Sequence, residues 1–288
     1  MTGAQALIES LKREQVAHIF GYAGATICPA VDALKSHPEI GYTLVRTEQN
    51  AGHMASGYAR ISGKVGVCMV TSGPGATNLI TGIATAYMDS IPMVAITGQV
   101  PSNLLGRDIF QEVDITGAVA PFSKHSYLVK DANDIPRIVK EAFHIASTGR
   151  PGPVLIDFLK NVTFLNTMID YEFIPWKENR SCGSIRELNL RHGLKPPEPD
   201  LGDIDKLVEM IAQSQRPLLM CGGGVVRGRA DRQFREFAEN VDYFVLEPGI
   251  RRLDDLGWSY LEQHMDIPLP PALREAIDPV PFGRQAME

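Results

Sequence analysis

Three stretches of the chain set reactive or ligand-holding side chains beside small residues. Glu48 follows the apolar run 42–47 directly and opens the helical pattern 48–61, so its carboxylate stands where a strand hands over to a helix. An acid there either works on a ligand at the strand end or complements the dipole of the helix's first turn. Ala51, Gly52, Ala55, Ser56 and Gly57 beside it let other groups approach closely. The second stretch is Thr71-Ser72-Gly73-Pro74-Gly75-Ala76-Thr77-Asn78. Its glycines let the backbone turn sharply and meet a flat or anionic ligand, and Asn78 adds an amide donor and acceptor; the same residues would also serve as a tight connection alone. It is not a phosphate-binding Walker loop, because no Gly-Lys-Ser/Thr follows. Phe110-Gln111-Glu112 is the third stretch, in a loop where Gln111 either bonds a ligand or stays solvated.

Other candidates are weaker. Gly222, Gly224 and Gly228 run one residue too long for the dinucleotide fingerprint Gly-x-Gly-x-x-Gly. Arg150 lies in a turn among glycines and prolines and is either exposed or set to hold a phosphate. His53 and His125 have no Ser or Cys at a diagnostic spacing and read as structural, and Asp254 with Asp255 reads as a solvated face.

These residues need a scaffold, and the hydropathy pattern predicts one. Apolar runs at 17–22, 42–47, 66–73, 92–99, 126–130 and 153–159 alternate with helical patterns at 3–14, 27–36, 48–61, 76–88 and 133–147. Most of the runs lack in/out alternation, as strands buried on both faces of a parallel sheet do. The reading is an α/β fold, a doubly wound and mostly parallel sheet over 1–162. Ligands gather at the carboxyl ends of such strands, which singles out the loops after Tyr22, Thr47, Thr71 and Gly98. A proline-bearing linker is expected over 163–200 and a partial second α/β domain over 201–249. Within the latter we expect helices at 203–214 and 229–240 and strands at 217–226 and 243–249. A proline-rich tail then fills 250–288.

Composition bounds the function. The 288 residues leave room for about two domains of ~100–200 residues. With 44% hydrophobic and 22% charged residues, disordered and fibrous classes are excluded. A net charge of −6 gives no general attraction to nucleic acid or anionic lipid. Cys28, Cys68, Cys182 and Cys221 lie far apart, which fits free thiols and a cytoplasmic location. No apolar run approaches the ~20 residues of a membrane span.

Taken together, 20–34, 46–60, 66–101, 110–115 and 149–162 resemble the N-terminal domain of the acetolactate synthase large subunit, a thiamine-diphosphate and FAD enzyme family that joins two 2-keto acids. Residues 201–242 resemble the opening of that family's FAD-associated middle domain. The resemblance implies that Glu48 is the catalytic glutamate, hydrogen-bonded to the aminopyrimidine ring of thiamine diphosphate. A carboxylic acid in a water-poor crevice can share a proton with a ring nitrogen, favouring the tautomer that deprotonates the thiazolium carbon. Pro74, Gly75 and Asn78 match the pyrimidine pocket, and Phe110 and Gln111 match residues facing the reacting centre. Arg150, Gly222 and Gly223 match FAD contacts.

Two departures stand out. Gly21-Tyr22-Ala23-Gly24-Ala25 replaces the family's usual Gly-Tyr-Pro-Gly-Gly, adding a methyl at Ala25 near the reacting centre. The family's Gly-Asp-Gly motif for diphosphate and magnesium has only Gly202-Asp203-Ile204 as its nearest match. The implied protein holds the pyrimidine half of a thiamine diphosphate site and an incomplete FAD site, with magnesium held by a missing domain or a partner. It would form a homodimer or join another thiamine-diphosphate enzyme subunit, take 2-keto acids in branched-chain amino acid biosynthesis, and be inactive alone. The alternative is a truncated, non-catalytic relative that binds or interferes with an intact large subunit.

Overall fold

The apolar runs become β1 (His18–Tyr22), β2 (Gly41–Leu44), β3 (Gly66–Val70), β4 (Met93–Gln99), β5 (His125–Val129) and β6 (Pro153–Leu159) of a computed structural model. The described residues are 1–164, 168–171, 199–214 and 220–239. The strands pair in parallel in the order β2-β1-β3-β4-β6-β5, an all-parallel α/β sheet as the patterning predicts. Winding starts at β1 and reverses between β1 and β3, the point at which doubly wound sheets open a crevice.

Helices cover both faces, and residue alternation along the central strands feeds two cores. Val67 and Met69, Val94 and Ile96, and Val154 and Ile156 face one core with α1 (Gly3–Arg13), α2 (Cys28–Ala33) and α7 (Ile135–Ser147). Cys68 and Val70, Met93 and Ala95, and Leu155 face the other, with α3 (Glu48–Ser62), α5 (Ile80–Met88) and α6 (Ile115–Val119). Every residue of β3, β4 and β6 is buried, whereas the edge strands β2 and β5 are mostly half-exposed. α1 starts on a capping box in which Thr2 and Gln5 satisfy each other's backbone N–H.

Several boundaries differ from expectation. The helix expected over 76–88 begins at Pro74, which suits a first helical position, and is divided at Leu79 into α4 (Pro74–Asn78) and α5. The run 42–47 pairs only as far as Leu44, because Thr47 is spent on capping α3. Helix 27–36 ends in a tighter 3₁₀ turn, Leu34–Ser36, and α6 went unpredicted, its five residues being too short for a period to show. α8 (Lys160–Thr163) closes the run.

Two compact units divide the chain, Met1–Pro197 and Glu198–Glu288. Residues 168–171, placed by sequence in a linker, are bonded to the start of the chain: Met168 bridges Thr2, and Ile169 exchanges two 2.9 Å backbone bonds with Met1. In the second unit the described residues form helices Leu201–Gln213, Gly223–Arg227 and Asp231–Glu239. The strand expected over 217–226 is thus replaced from Gly223 onward by a helical turn. The strand expected over 243–249, the 250–288 tail, Cys182, Asp254 and Asp255 lie outside the described residues.

Candidate functional site

Thr47 has an extended backbone and caps α3, its Oγ1 accepting from the Asn50 N–H at 3.4 Å, so Glu48 becomes the first helical residue. Across the end of β1, α4 starts at Pro74 and brings Asn78 toward it. Asn78 Nδ2 donates to Glu48 Oε2 at 3.0 Å. The other carboxylate oxygen faces Gly75, where an added Cβ would stand 3.3 Å from Glu48 Oε1 and 2.7 Å from Thr71 Cγ2. The structure therefore brings Glu48, Pro74, Gly75 and Asn78 together, although they come from two strand-to-helix junctions.

The turn leading into α4 is strained and tightly packed. Gly73 has φ +61°, and an added Cβ would lie 2.7 Å from the Cα of Gln111, which itself has φ +62°. Left-handed backbone is costly for a residue with a side chain, so Gln111 is held there by its surroundings. Its neighbour Phe110 is 87% exposed. At the switch point the Thr26 hydroxyl accepts from the Ser72 N–H at 3.1 Å, stands 3.0 Å from Thr71 Oγ1, and presses on Gly98. Thr26 thus ties the loops after β1 and β3 to β4. Ser72 Oγ is buried without a hydrogen-bond partner, and Ala25 is exposed.

One expectation changes, and one finds its partner. Glu48 is only half-buried and Asn78 is exposed, so the water-poor crevice implied for the carboxyl is not closed by the residues around it. The small residues near Glu48 serve helix packing: α5 crosses α3 where a Cβ on Gly82 would stand 2.8 Å from the Gly52 Cα, and Gly66 backs onto the Ala55 carbonyl.

Arg150 lies elsewhere, just before β6 and therefore at the amino end of the sheet. Its Nε donates to Ser90 Oγ at 2.7 Å, and Nη2 reaches the Tyr87 and Met88 carbonyls at the end of α5. A cation beside helix-terminal carbonyls is favourable, so Arg150 has a structural task, and it remains exposed. A cavity of about 350 Å³ also opens at this end, lined by Glu14, His18, Lys64, Lys140 and His144 among others, and it contains none of the candidates. Gly222 and Gly223 belong to the second unit, where Gly222 precedes the helix Gly223–Arg227.

Sequence reasoning missed the polar group under the loop that carries Phe110 and Gln111. Asp157 and Gln99, 1% and 2% exposed, are bonded to one another between β4 and β6. The signal was an acid in the otherwise apolar run 153–159. Among the described residues no group of His, Cys, Asp or Glu is placed to hold a metal, and no helix is long and apolar enough to cross a membrane. Cys28, Cys68 and Cys221 are free thiols.

Comparison with known proteins matches residues 1–118 to the family described as thiamine pyrophosphate enzyme, N-terminal TPP binding domain, and residues 204–249 to thiamine pyrophosphate enzyme, central domain. An acetolactate synthase of Arthrospira platensis is 51% identical over 243 residues, covering 83% of this chain and 40% of the relative. The acetolactate synthase large subunit of Buchnera aphidicola subsp. Schizaphis graminum is 47% identical over 84% of this chain and 40% of its own length. That of Corynebacterium glutamicum is 46% identical over 83% and 36%. The chain thus spans about 40% of the length of these relatives.

Proposed function

The chain is a homologue of acetolactate synthase large subunits that carries N-terminal and central domains of thiamine pyrophosphate enzymes, and from this we propose that its first domain, residues 1–162, supplies the pyrimidine-binding half of a thiamine diphosphate site. The observation that carries the reading is the Glu48–Asn78 hydrogen bond beside Gly75. One carboxylate oxygen is held by an amide, and the other faces a surface kept clear of any Cβ. A flat heteroaromatic ring with a basic nitrogen fits that donor set.

Asn78 fixes the plane of the carboxyl, leaving Glu48 Oε1 to hold or release a proton at a ring nitrogen. Pro74 and Gly75 present backbone to the ring face, and Phe110 and Gln111 stand toward the reacting centre. When bound, thiamine diphosphate supplies the carbon nucleophile that decarboxylates pyruvate and joins it to a second 2-keto acid. Glu48 is half-buried with one side open, and a water-excluded ring site needs that side covered. We therefore assign the cover to another subunit, a second copy or a thiamine-diphosphate enzyme chain, and the diphosphate and its magnesium ion to a partner chain that carries the Gly-Asp-Gly motif this sequence lacks. Flavin contacts are assigned to exposed Arg150 and to Gly222 and Gly223; a Cβ on Gly222 would meet nothing within 4 Å.

The expected outcome is that the purified chain, given pyruvate, thiamine diphosphate, magnesium and FAD, forms no acetolactate. Adding the separately produced remainder of a relative's large subunit restores turnover, and Glu48→Gln abolishes it. Turnover by the unsupplemented chain would defeat the half-site assignment; full restored activity in the Gln variant would remove Glu48 from its role.

A further inference from the structure

Fourteen residues, 100–113, connect β4 to the segment before α6 and carry Phe110 and Gln111. One side chain holds both ends of that connection. Gln99 Oε1 accepts from the Val100 N–H at 2.9 Å, at the loop's first residue. Its Nε2 donates to the Val113 carbonyl at 2.7 Å, at the loop's last, and to Asp157 Oδ2 at 3.0 Å. Both N–H donors of the amide are thereby used, and its oxygen has a donor. Asp157 completes the group by accepting at Oδ1 from Thr97 Oγ1 at 2.7 Å.

Between its ends the loop is drawn in. The Glu112 carboxylate accepts from the backbone N–H groups of Gly106, Arg107 and Ile109, and the Gln111 backbone rests against Gly73. The Glu112 contacts fix the loop's shape; along its length Asn161 Oδ1 accepts from the Ser102 N–H at 2.9 Å and Leu105 packs against the core, while the Gln99 amide holds both ends at once. Closing a loop of this length costs chain entropy, which a tie at both ends offsets.

We propose that Gln99 is a positioning residue: held by the buried Asp157 carboxyl, it clasps the two ends of the 100–113 loop and so sets Gln111 against the glycine turn that leads into α4. That Gln111 there meets a ligand beside Glu48 rests on the reading given under Proposed function. The clasp needs an acceptor and two donors on one side chain at the end of β4. Met has neither, and Glu keeps the acceptor while losing both donors.

Amide hydrogen exchange of the full chain tests this without any ligand. Gln99→Met is expected to speed exchange across 100–113 by about tenfold or more while β3 and β6 stay protected. Gln99→Glu, a second route should the Met variant not fold, is expected to free the Val113 end and leave Val100 protected. Asp157→Asn is expected to keep the loop protected, because its amide oxygen accepts from Gln99 while its NH₂ donates to Thr97 Oγ1. Unchanged loop exchange in both Gln99 variants would overturn the clasp, as would acceleration shared equally with β3 and β6. A separate arm adds thiamine diphosphate, magnesium and the remainder of a relative's large subunit to the parent chain. Slower exchange at Gln111 then supports the ligand reading, and no change counts against that reading while the clasp stands.

Discussion

Between about pH 4 and pH 7 the folded chain holds a proton on Asp157 that the unfolded chain has released. Burial pushes this carboxyl up to about 7, from an ordinary value near 4; nearby Asp114 adds to the rise, and the bonds from Thr97 and Gln99 oppose it. The native state then binds more protons than the unfolded state across that window, so this group's contribution makes the protein less stable as pH rises through it, levelling off above about 7. Asp157→Asn removes the titration. In urea unfolding the variant should be more stable than the parent at pH 8 by about 4 kcal/mol, about three pKa units at about 1.4 kcal/mol each, and by only about 1 kcal/mol at pH 4.5. An equal difference at both pH values would mean the group does not titrate in the window. Two glycines give a second comparison. A Cβ at Gly75 meets Thr71 and Glu48, whereas one at Gly57, mid-helix in α3, meets nothing within 4 Å. Gly57→Ala should therefore stabilise the chain by about 0.5–1 kcal/mol. Gly75→Ala should destabilise it by about 1–3 kcal/mol and shift the Asn78 side-chain amide signals in an NMR spectrum.

The pairing of Glu48 with Asn78 depends on how closely α3 and α5 approach, because Glu48 begins α3 and Asn78 ends the short helix that feeds α5. Their crossing is set by Gly52 and Gly82. Gly82→Ala would place a methyl 2.8 Å from the Gly52 Cα, where the obstacle is backbone and has no rotamer to change. The expected result is a loss of about 1–3 kcal/mol in urea unfolding together with displaced Asn78 amide signals; unaltered signals would show that the crossing does not govern the pair. Such pairing is invisible in the sequence, which shows Glu48 and Asn78 thirty positions apart. The central strands were legible because β3, β4 and β6 are buried on both faces and must be apolar at every other kind of position as well. The edge strands were read with the wrong ends, 42–47 for Gly41–Leu44 and 126–130 for His125–Val129, since their half-exposed residues give the pattern no sharp end. Small residues on α3 were read as allowing a close approach without a named partner: periodicity marks such an approach without saying whether a ligand or a neighbouring helix makes it, and here α5 does. The Gln99–Asp157 group escaped because it joins two runs that each read as plain strand.

Across the whole first unit, the two ends of the sheet are treated differently. At the amino end α5 is finished by Arg150, and at the carboxyl end Glu48 and Asn78 remain open toward solvent. The unit's closing strap lies at neither junction. It runs through 168–171, where Ile169 is 6% exposed within the apolar core, its backbone exchanges two bonds with Met1, and the Tyr171 hydroxyl stands 3.3 Å from Ser10 Oγ. The strap therefore secures α1, which lies over the face opposite α3 and α5, and leaves the Glu48 edge untouched. If that separation holds, stability and site geometry can be changed independently. A fragment ending at residue 164 forfeits the burial of one isoleucine, worth roughly 1.5–3 kcal/mol, and the bonds to Met1, worth about 0.5–1.5 kcal/mol each. Compared with a fragment ending at 171, it should unfold at a lower urea concentration with an unchanged Glu48–Asn78 pair, read from the Asn78 amide signals. Equal midpoints would show that the strap adds nothing to the fold. A shifted Asn78 amide would show instead that the site depends on α1, and the assignment of its missing cover to another subunit would then have to account for that dependence.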